Sequence, residues 1–197
     1  MLKKFLSNTE FNSYEDFYSN FKVNVPQNFN FVYDIVDKIA DETPQKTAMV
    51  WIGDDGTKKV FSFEDMRHYS LKTAEILKKY NIGKGDPVML ILKRRFEFWF
   101  VLLALHRLGA VAIPATHLLT KKDIIYRNNA ASVKMIIAVS EETICDSISA
   151  YIPESPSLEN VITVGEKSNF IDYYEEMNSV NCEKSILELF FISIVNF

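Results

Sequence analysis

The sequence is most constrained between Leu105 and Thr116, where the pattern of a helix gives way to that of a strand. Gly109 can adopt the left-handed conformation that ends a helix. The apolar run 110–113 then predicts a short strand covered on both faces, which Pro114 ends because proline cannot donate to a sheet. The helix before this turn is predicted by apolar residues at i, i+3, i+4 and i+7 spacing: Phe98, Val101, Leu102, Leu105 and Leu108.

Strands and helices alternate from Pro87 to Val164 at the spacing of parallel βαβ units. We predict an α/β fold with a doubly wound, mainly parallel sheet and helices on both faces. A β-hairpin over 47–62, turning at a Gly/Asp cluster, should lie at one edge of this sheet or form a small neighbouring sheet. The predicted strands cover 88–92, 110–113, 135–139 and 161–164, and the helices 94–108, 120–131 and 141–151.

Residues 1–28 are polar and aromatic, and 10–22 has the spacing of a short helix. We interpret 1–28 as a lid that covers exposed core, and 29–197 as the main domain.

Composition excludes several classes of protein. A net charge of −4 gives no sign of a nucleic-acid partner. The longest apolar run is far shorter than the roughly 20 residues that span a bilayer, and no signal peptide is predicted. Cys145 and Cys182 have neither metal nor redox spacing, so we predict free thiols and a cytoplasmic protein.

Thr116 and His117 are the candidate ligand contacts, because they follow a strand's carboxyl end, where open α/β sheets bind ligands. No complete catalytic motif is present, so no catalytic and no metal-binding residue is predicted. Lys93, Arg94 and Arg95 open a predicted helix although cations oppose the dipole there. This cluster indicates either an anion site or interface, or a solvated basic turn.

Leu187–Phe191 predicts a buried strand close to Phe197, with nothing after it to cover the sheet edge. We therefore expect either a continuation that this sequence lacks or a partner chain bound at this strand.

Three segments follow one another in a specific order and spacing: Phe61–Met66, Gly85–Val88 and Leu105–Thr116. In these segments, and over about Phe29 to Ile171, the chain resembles the adenylate-forming (AMP-binding) ligase superfamily. Two further runs, 93–99 and 114–120, resemble its medium-chain, acetyl-CoA-synthetase-like branch of acyl-CoA synthetases. The resemblance implies the N-terminal part of a ligase that joins a carboxylic acid to ATP, with Mg²⁺, as an acyl-adenylate and then transfers the acyl group to coenzyme A. It also implies that Thr116 and His117 line the pantetheine tunnel.

The resemblance fails at the phosphate loop. The run 190–193 begins as in the family, but Ile194–Phe197 stands where the family has glycines whose amides surround phosphate. The expectation is a partial domain over 29–197, truncated at the phosphate loop, without the C-terminal small domain and its catalytic lysine. No ATP-binding residue is implied in this chain. ATP, Mg²⁺ and coenzyme A should not bind it tightly, and it should be inactive alone.

Two other hypotheses stay open at this point. The chain could be a non-catalytic interaction or binding module that needs a partner chain at its last strand. It could also be an unrelated enzyme on a doubly wound sheet, such as a methyltransferase or dehydrogenase, although it has no glycine fingerprint after a strand.

Overall fold

The computed structural model describes residues 2–165 and 168–180, and the predicted strand Leu187–Phe191 and Cys182 lie outside them. The described chain contains eight α-helices: α1 (Leu2–Phe5), α2 (Tyr14–Asn20), α3 (Asp37–Glu42), α4 (Phe63–Lys79), α5 (Glu97–Leu108), α6 (Lys121–Ala131), α7 (Glu142–Tyr151) and α8 (Tyr173–Ser179). Its strands are β1 (Thr47–Ile52), β2 (Lys58–Ser62), β3 (Pro87–Ile91), β4 (Val111–Pro114), β5 (Met135–Val139), β6 (Asn160–Val164) and β7 (Ile171–Asp172).

Five strands form a parallel sheet in the order β4-β3-β5-β6-β7, which confirms the predicted doubly wound α/β fold. The chain crosses from β3 to β4 in one direction and returns past β3 to β5 in the other. Because such crossovers are right-handed, the helices after β3 and β4 lie on opposite faces. Accordingly, α4 packs against α5 and α8, whereas α6 packs against α7.

The hairpin β1–β2 forms a separate antiparallel sheet, as one of the two predicted alternatives had it. Its aromatic side chains cover a second, smaller core beside the main one. That core joins the hairpin to α4 and α5 through seven buried residues: Val32, Val36, Phe61, Met66, Phe96, Phe100 and Leu103.

Helix ends follow local chemistry closely. The side chains of Ser62 and Thr120 each accept a hydrogen bond from the backbone amide of an aspartate three residues later. In both cases the aspartate side chain accepts a hydrogen bond from the backbone amide of the cap residue. Gly109 ends α5 in the left-handed conformation, with φ of +66°.

The strand over 110–113 was wrongly predicted to be covered on both faces. It runs from Val111 to Pro114 at the edge of the sheet, and Val111 is 47% exposed. Pro114 belongs to the strand because an edge strand has one side on which no amide must donate.

The helix expected from residue 94 begins instead at Glu97. Lys93 adopts a left-handed backbone, with φ of +49°, so the chain turns before the helix starts. The three cations thus precede the helix, and a carboxylate occupies its first turn, where the helix dipole favours negative charge.

Two further expectations differ from the structure. The N-terminal helix is shorter than the predicted 10–22, because Ser13 caps it and Phe21 is already extended. No element was predicted at Ile171–Ser179, yet β7 and α8 lie there, and Asp172 caps α8.

Candidate functional site

A cleft of about 1790 Å³ lies at the carboxyl edge of the parallel sheet. Its walls come from the residues that follow β3, β4, β5 and β6, and the turn of the hairpin covers one side. This is the edge at which open α/β sheets bind their ligands. Both residues predicted to contact a ligand, Thr116 and His117, line the cleft and are exposed.

The β4 side of the cleft is shaped by backbone pairing that continues past the strand. The Ala115 amide donates to the Leu90 carbonyl at 2.9 Å, so the chain is still held beside β3 there. The Leu118 amide then donates to the Thr116 hydroxyl at 3.3 Å, which turns the chain outward. The Thr116 hydroxyl and the His117 imidazole are therefore presented at the mouth of the cleft.

The end of β3 faces the end of β5 across the point where the sheet reverses its winding. The helices that follow these strands, α5 and α7, belong to opposite layers, so a crevice opens between them. Lys93 follows β3 and Glu141 follows β5, and the lysine Nζ lies 2.6 Å and 2.5 Å from the two carboxylate oxygens. This ion pair spans the crevice.

The hairpin is attached to the same loop. The Trp51 indole donates to the Arg94 carbonyl at 2.7 Å, and the Arg94 guanidinium lies 3.2 Å from Asp54 in the hairpin turn. The hairpin turn thus closes the side of the cleft next to β3.

Arg95, the third cation of the cluster, also lines the cleft, and its partner is the fully buried carboxylate of Glu97. Its guanidinium donates to both oxygens of Glu97, at 2.6 Å and 3.0 Å, and the Tyr174 hydroxyl donates to the same carboxylate. The Glu97 hydrogen bond raises the pKa of Arg95. Burial, and then the bond to Glu97, raises the pKa of Tyr174. All three cations therefore have carboxylate partners, and neither hypothesis for the cluster describes it fully.

The β6 side of the cleft contains residues that were not singled out from the sequence. Gly165 has φ of +131°, and a Cβ added there would lie 2.6 Å from the Ser140 hydroxyl oxygen. Cys145 is half-buried beside Ser168, and burial, followed by the charge of Asp146, raises the pKa of its thiol. The signal for Ser140 and Gly165 was their position directly after buried strands, which had been applied only to Thr116 and His117.

The described residues contain no group of three or more histidine, cysteine, aspartate or glutamate side chains placed to hold a metal ion. Within the same part of the chain, every helix is too short or too polar to cross a membrane.

The chain is similar to several known proteins. A family model for AMP-binding enzymes matches residues 36–184, which is most of the chain. Acyl-coenzyme A synthetase ACSM3 is 34% identical over 164 residues in both Pongo abelii and Homo sapiens, covering 80% of this chain. Mouse acyl-coenzyme A synthetase ACSM4 is 31% identical over 172 residues, covering 83% of it. Each of these relatives is named as a mitochondrial enzyme.

The chain spans only 28% or 29% of the length of these relatives. A crystal structure of the anthranilate CoA ligase AuaEII in complex with anthranoyl-AMP superposes with a TM-score of 0.70 at 18% identity. That superposition covers 80% of this chain and 28% of the ligase, and it supports the fold. The resemblance seen in the motifs is thereby confirmed, and the chain belongs to the AMP-binding enzyme family.

Proposed function

We propose that this chain forms the first part of the catalytic domain of an ATP-dependent acid–CoA ligase. In this reaction a carboxylate attacks the α-phosphorus of ATP, giving an acyl-adenylate and pyrophosphate. The thiol of coenzyme A then attacks the acyl carbon and AMP leaves. The observation that carries the proposal is the match of the AMP-binding family model to residues 36–184. The cleft lined by Pro114–His117 supports it, because it lies at the edge where open α/β sheets bind ligands.

Thr116 and His117 are proposed to contact the pantetheine arm of coenzyme A. Pantetheine carries two amides, and the exposed hydroxyl and imidazole at the cleft mouth can each exchange hydrogen bonds with an amide. The cleft is also lined by apolar residues, including Leu90, Val139 and Val164, which suit the methylene groups of the same arm.

ATP with Mg²⁺ would supply the activated phosphoryl group and neutralise the charge that develops on it. We infer that these 197 residues do not form an acyl-adenylate alone and bind ATP, Mg²⁺ and coenzyme A weakly. The support is in the sequence, because Ile194–Phe197 stands where the family has the glycines of its phosphate loop. A cytoplasmic location is part of this proposal, which cell fractionation tests.

ATP–pyrophosphate exchange tests the catalytic part of the proposal. The purified chain is incubated with ATP, Mg²⁺, labelled pyrophosphate and a panel of fatty and aromatic acids. We expect no acid-dependent label in ATP above a sample without protein, with an intact acyl-CoA synthetase as the positive control. Acid-dependent exchange by the chain itself would overturn the inference that it is inactive alone.

A further inference from the structure

The three cations after β3 differ in how firmly their carboxylate partners hold them. Glu97, the partner of Arg95, is fully buried. Glu141, the partner of Lys93, is 50% exposed, and Asp54, the partner of Arg94, is 92% exposed. Exposed ion pairs contribute little to stability because water and salt compete with them. The partners of Lys93 and Arg94 can therefore be displaced, whereas the partner of Arg95 cannot.

Both displaceable pairs join separate elements across the mouth of the same cleft. Glu141 stands at the start of α7, and Asp54 stands in the hairpin turn. A ligand that bound Lys93 and Arg94 would displace the carboxylates of Glu141 and Asp54 from the mouth of the cleft. An anion with more charge than one carboxylate is the ligand that gains most from such an exchange.

The backbone of Lys93 adds a second observation. Its φ of +49° is uncommon for a residue other than glycine or asparagine and has a cost in energy. All three cations that follow β3 line the cleft, but only Arg95 is paired with a fully buried carboxylate, that of Glu97. Backbone strain of this kind occurs most often where a protein binds ligands.

We propose that Lys93 and Arg94 form a binding site for phosphate groups at the mouth of the cleft, which Glu141 and Asp54 occupy until a ligand displaces them. The ligand class is a phosphate ester or polyphosphate, of the kind that both ATP and coenzyme A carry. The inference deepens the proposed function and rests on it for the identity of the natural ligand, although the site itself is argued from the ion pairs and the backbone of Lys93.

Equilibrium dialysis with labelled inorganic pyrophosphate at low salt tests the site. Lys93→Gln and Arg94→Gln should each weaken binding, by about tenfold if each cation contributes one charge-assisted contact. Glu141→Gln should tighten binding by about two- to fivefold, because it removes the competitor that occupies Lys93. A residue with a purely structural role would not give opposite signs for the two partners of one ion pair.

Lys121 and Glu154 provide the matched control, because they form an exposed ion pair at 2.8 Å and neither lines the cleft. Lys121→Gln and Glu154→Gln should leave pyrophosphate binding unchanged. Lys93→Arg should retain it, which excludes misfolding as the cause of a loss in Lys93→Gln. Competition by adenosine 3′,5′-bisphosphate or by ATP then distinguishes the coenzyme A end from the nucleotide triphosphate as the source of the phosphate.

The proposal is overturned if neither the unaltered chain nor Glu141→Gln binds pyrophosphate, or if the Lys93 and Lys121 variants behave alike. Pyrophosphate binding requires no catalysis, so this result is independent of the exchange assay. A site that binds pyrophosphate in a chain shown to have another activity would leave the phosphate site standing and reject the ligase proposal.

Discussion

Glu97 is a charged residue that is fully buried and depends on hydrogen bonds from its neighbours. Its carboxylate has no exposed surface, yet it accepts three hydrogen bonds, two from Arg95 and one from Tyr174. These bonds connect the loop after β3 to α8, which comes much later in the chain. A buried charge is tolerated only where such partners replace water, so the stability of this region depends on the partners more than on the charge.

Removing the Arg95 guanidinium should therefore lower the free energy of unfolding more than removing the negative charge of Glu97. We expect Arg95→Met to lower the free energy of unfolding by about 3 kcal/mol, because it leaves a buried carboxylate without a counter-charge. Glu97→Gln should have a smaller effect, since its amide oxygen still accepts a bond and Arg95, 34% exposed, can reach water. Urea denaturation measures both.

Arg94→Met is the control, because that arginine is 88% exposed and its removal should change the free energy of unfolding by less than about 0.5 kcal/mol. Equal destabilisation by Arg94→Met and Arg95→Met would contradict this description of the network.

At the scale of elements, apolar periodicity and caps predicted most of the fold. The strand over 135–139 was predicted to the residue, because all five of its side chains are buried and charged or polar residues bound it. The sequence patterns did not predict features that depend on how the elements pack together. An apolar run cannot show how far the faces of its strand are covered, so the strand over 110–113 was wrongly predicted to be covered on both faces. Similarly, Ile171–Asp172 is too short for a period to be recognised.

The candidate site was predicted in part for the same reason. Thr116 and His117 could be selected because a strand, a proline and a sheet edge are visible in one stretch of sequence. The Lys93–Glu141 pair could not, because it joins the ends of two strands that become neighbours only when the sheet reverses its winding. That reversal depends on strand order, which hydrophobic patterns do not contain.

The contact between the ends of β5 and β6 gives a prediction at this scale. Gly165→Ala should lower the free energy of unfolding by more than the roughly 1–3 kcal/mol of backbone strain alone, because its Cβ would also lie 2.6 Å from the Ser140 hydroxyl oxygen. Chemical denaturation provides the measurement.

Gly56→Ala separates the two contributions, because Gly56 has φ of +82° but no atom within 4 Å of an added Cβ. It should show backbone strain only. Adding Ser140→Ala to Gly165→Ala should restore part of the loss. If the Gly56 and Gly165 variants lose equal stability, the close approach between the two strand ends has no energetic consequence.

At the scale of the whole molecule, the sheet and the hairpin together form the cleft at the carboxyl edge. Four strand ends supply the floor and the mouth of the cleft, and the hairpin turn supplies one side. The chain spans less than a third of its relatives' length. The proposal assigns to these residues contacts with the pantetheine arm of coenzyme A and the phosphate contacts at the mouth of the cleft.

The most direct test of that assignment is a chimera in which the aligned part of this chain replaces its counterpart, over 164 aligned residues, in the human relative. The account predicts that the chimera forms acyl-coenzyme A from acid, ATP and coenzyme A. It also predicts that Thr116→Ala with His117→Ala lowers kcat/KM for coenzyme A by about tenfold, as expected for lost hydrogen bonds worth about 1.4 kcal/mol. ATP–pyrophosphate exchange should stay at the rate of the unsubstituted chimera. A folded chimera that exchanges pyrophosphate normally but forms no acyl-coenzyme A would contradict the assignment.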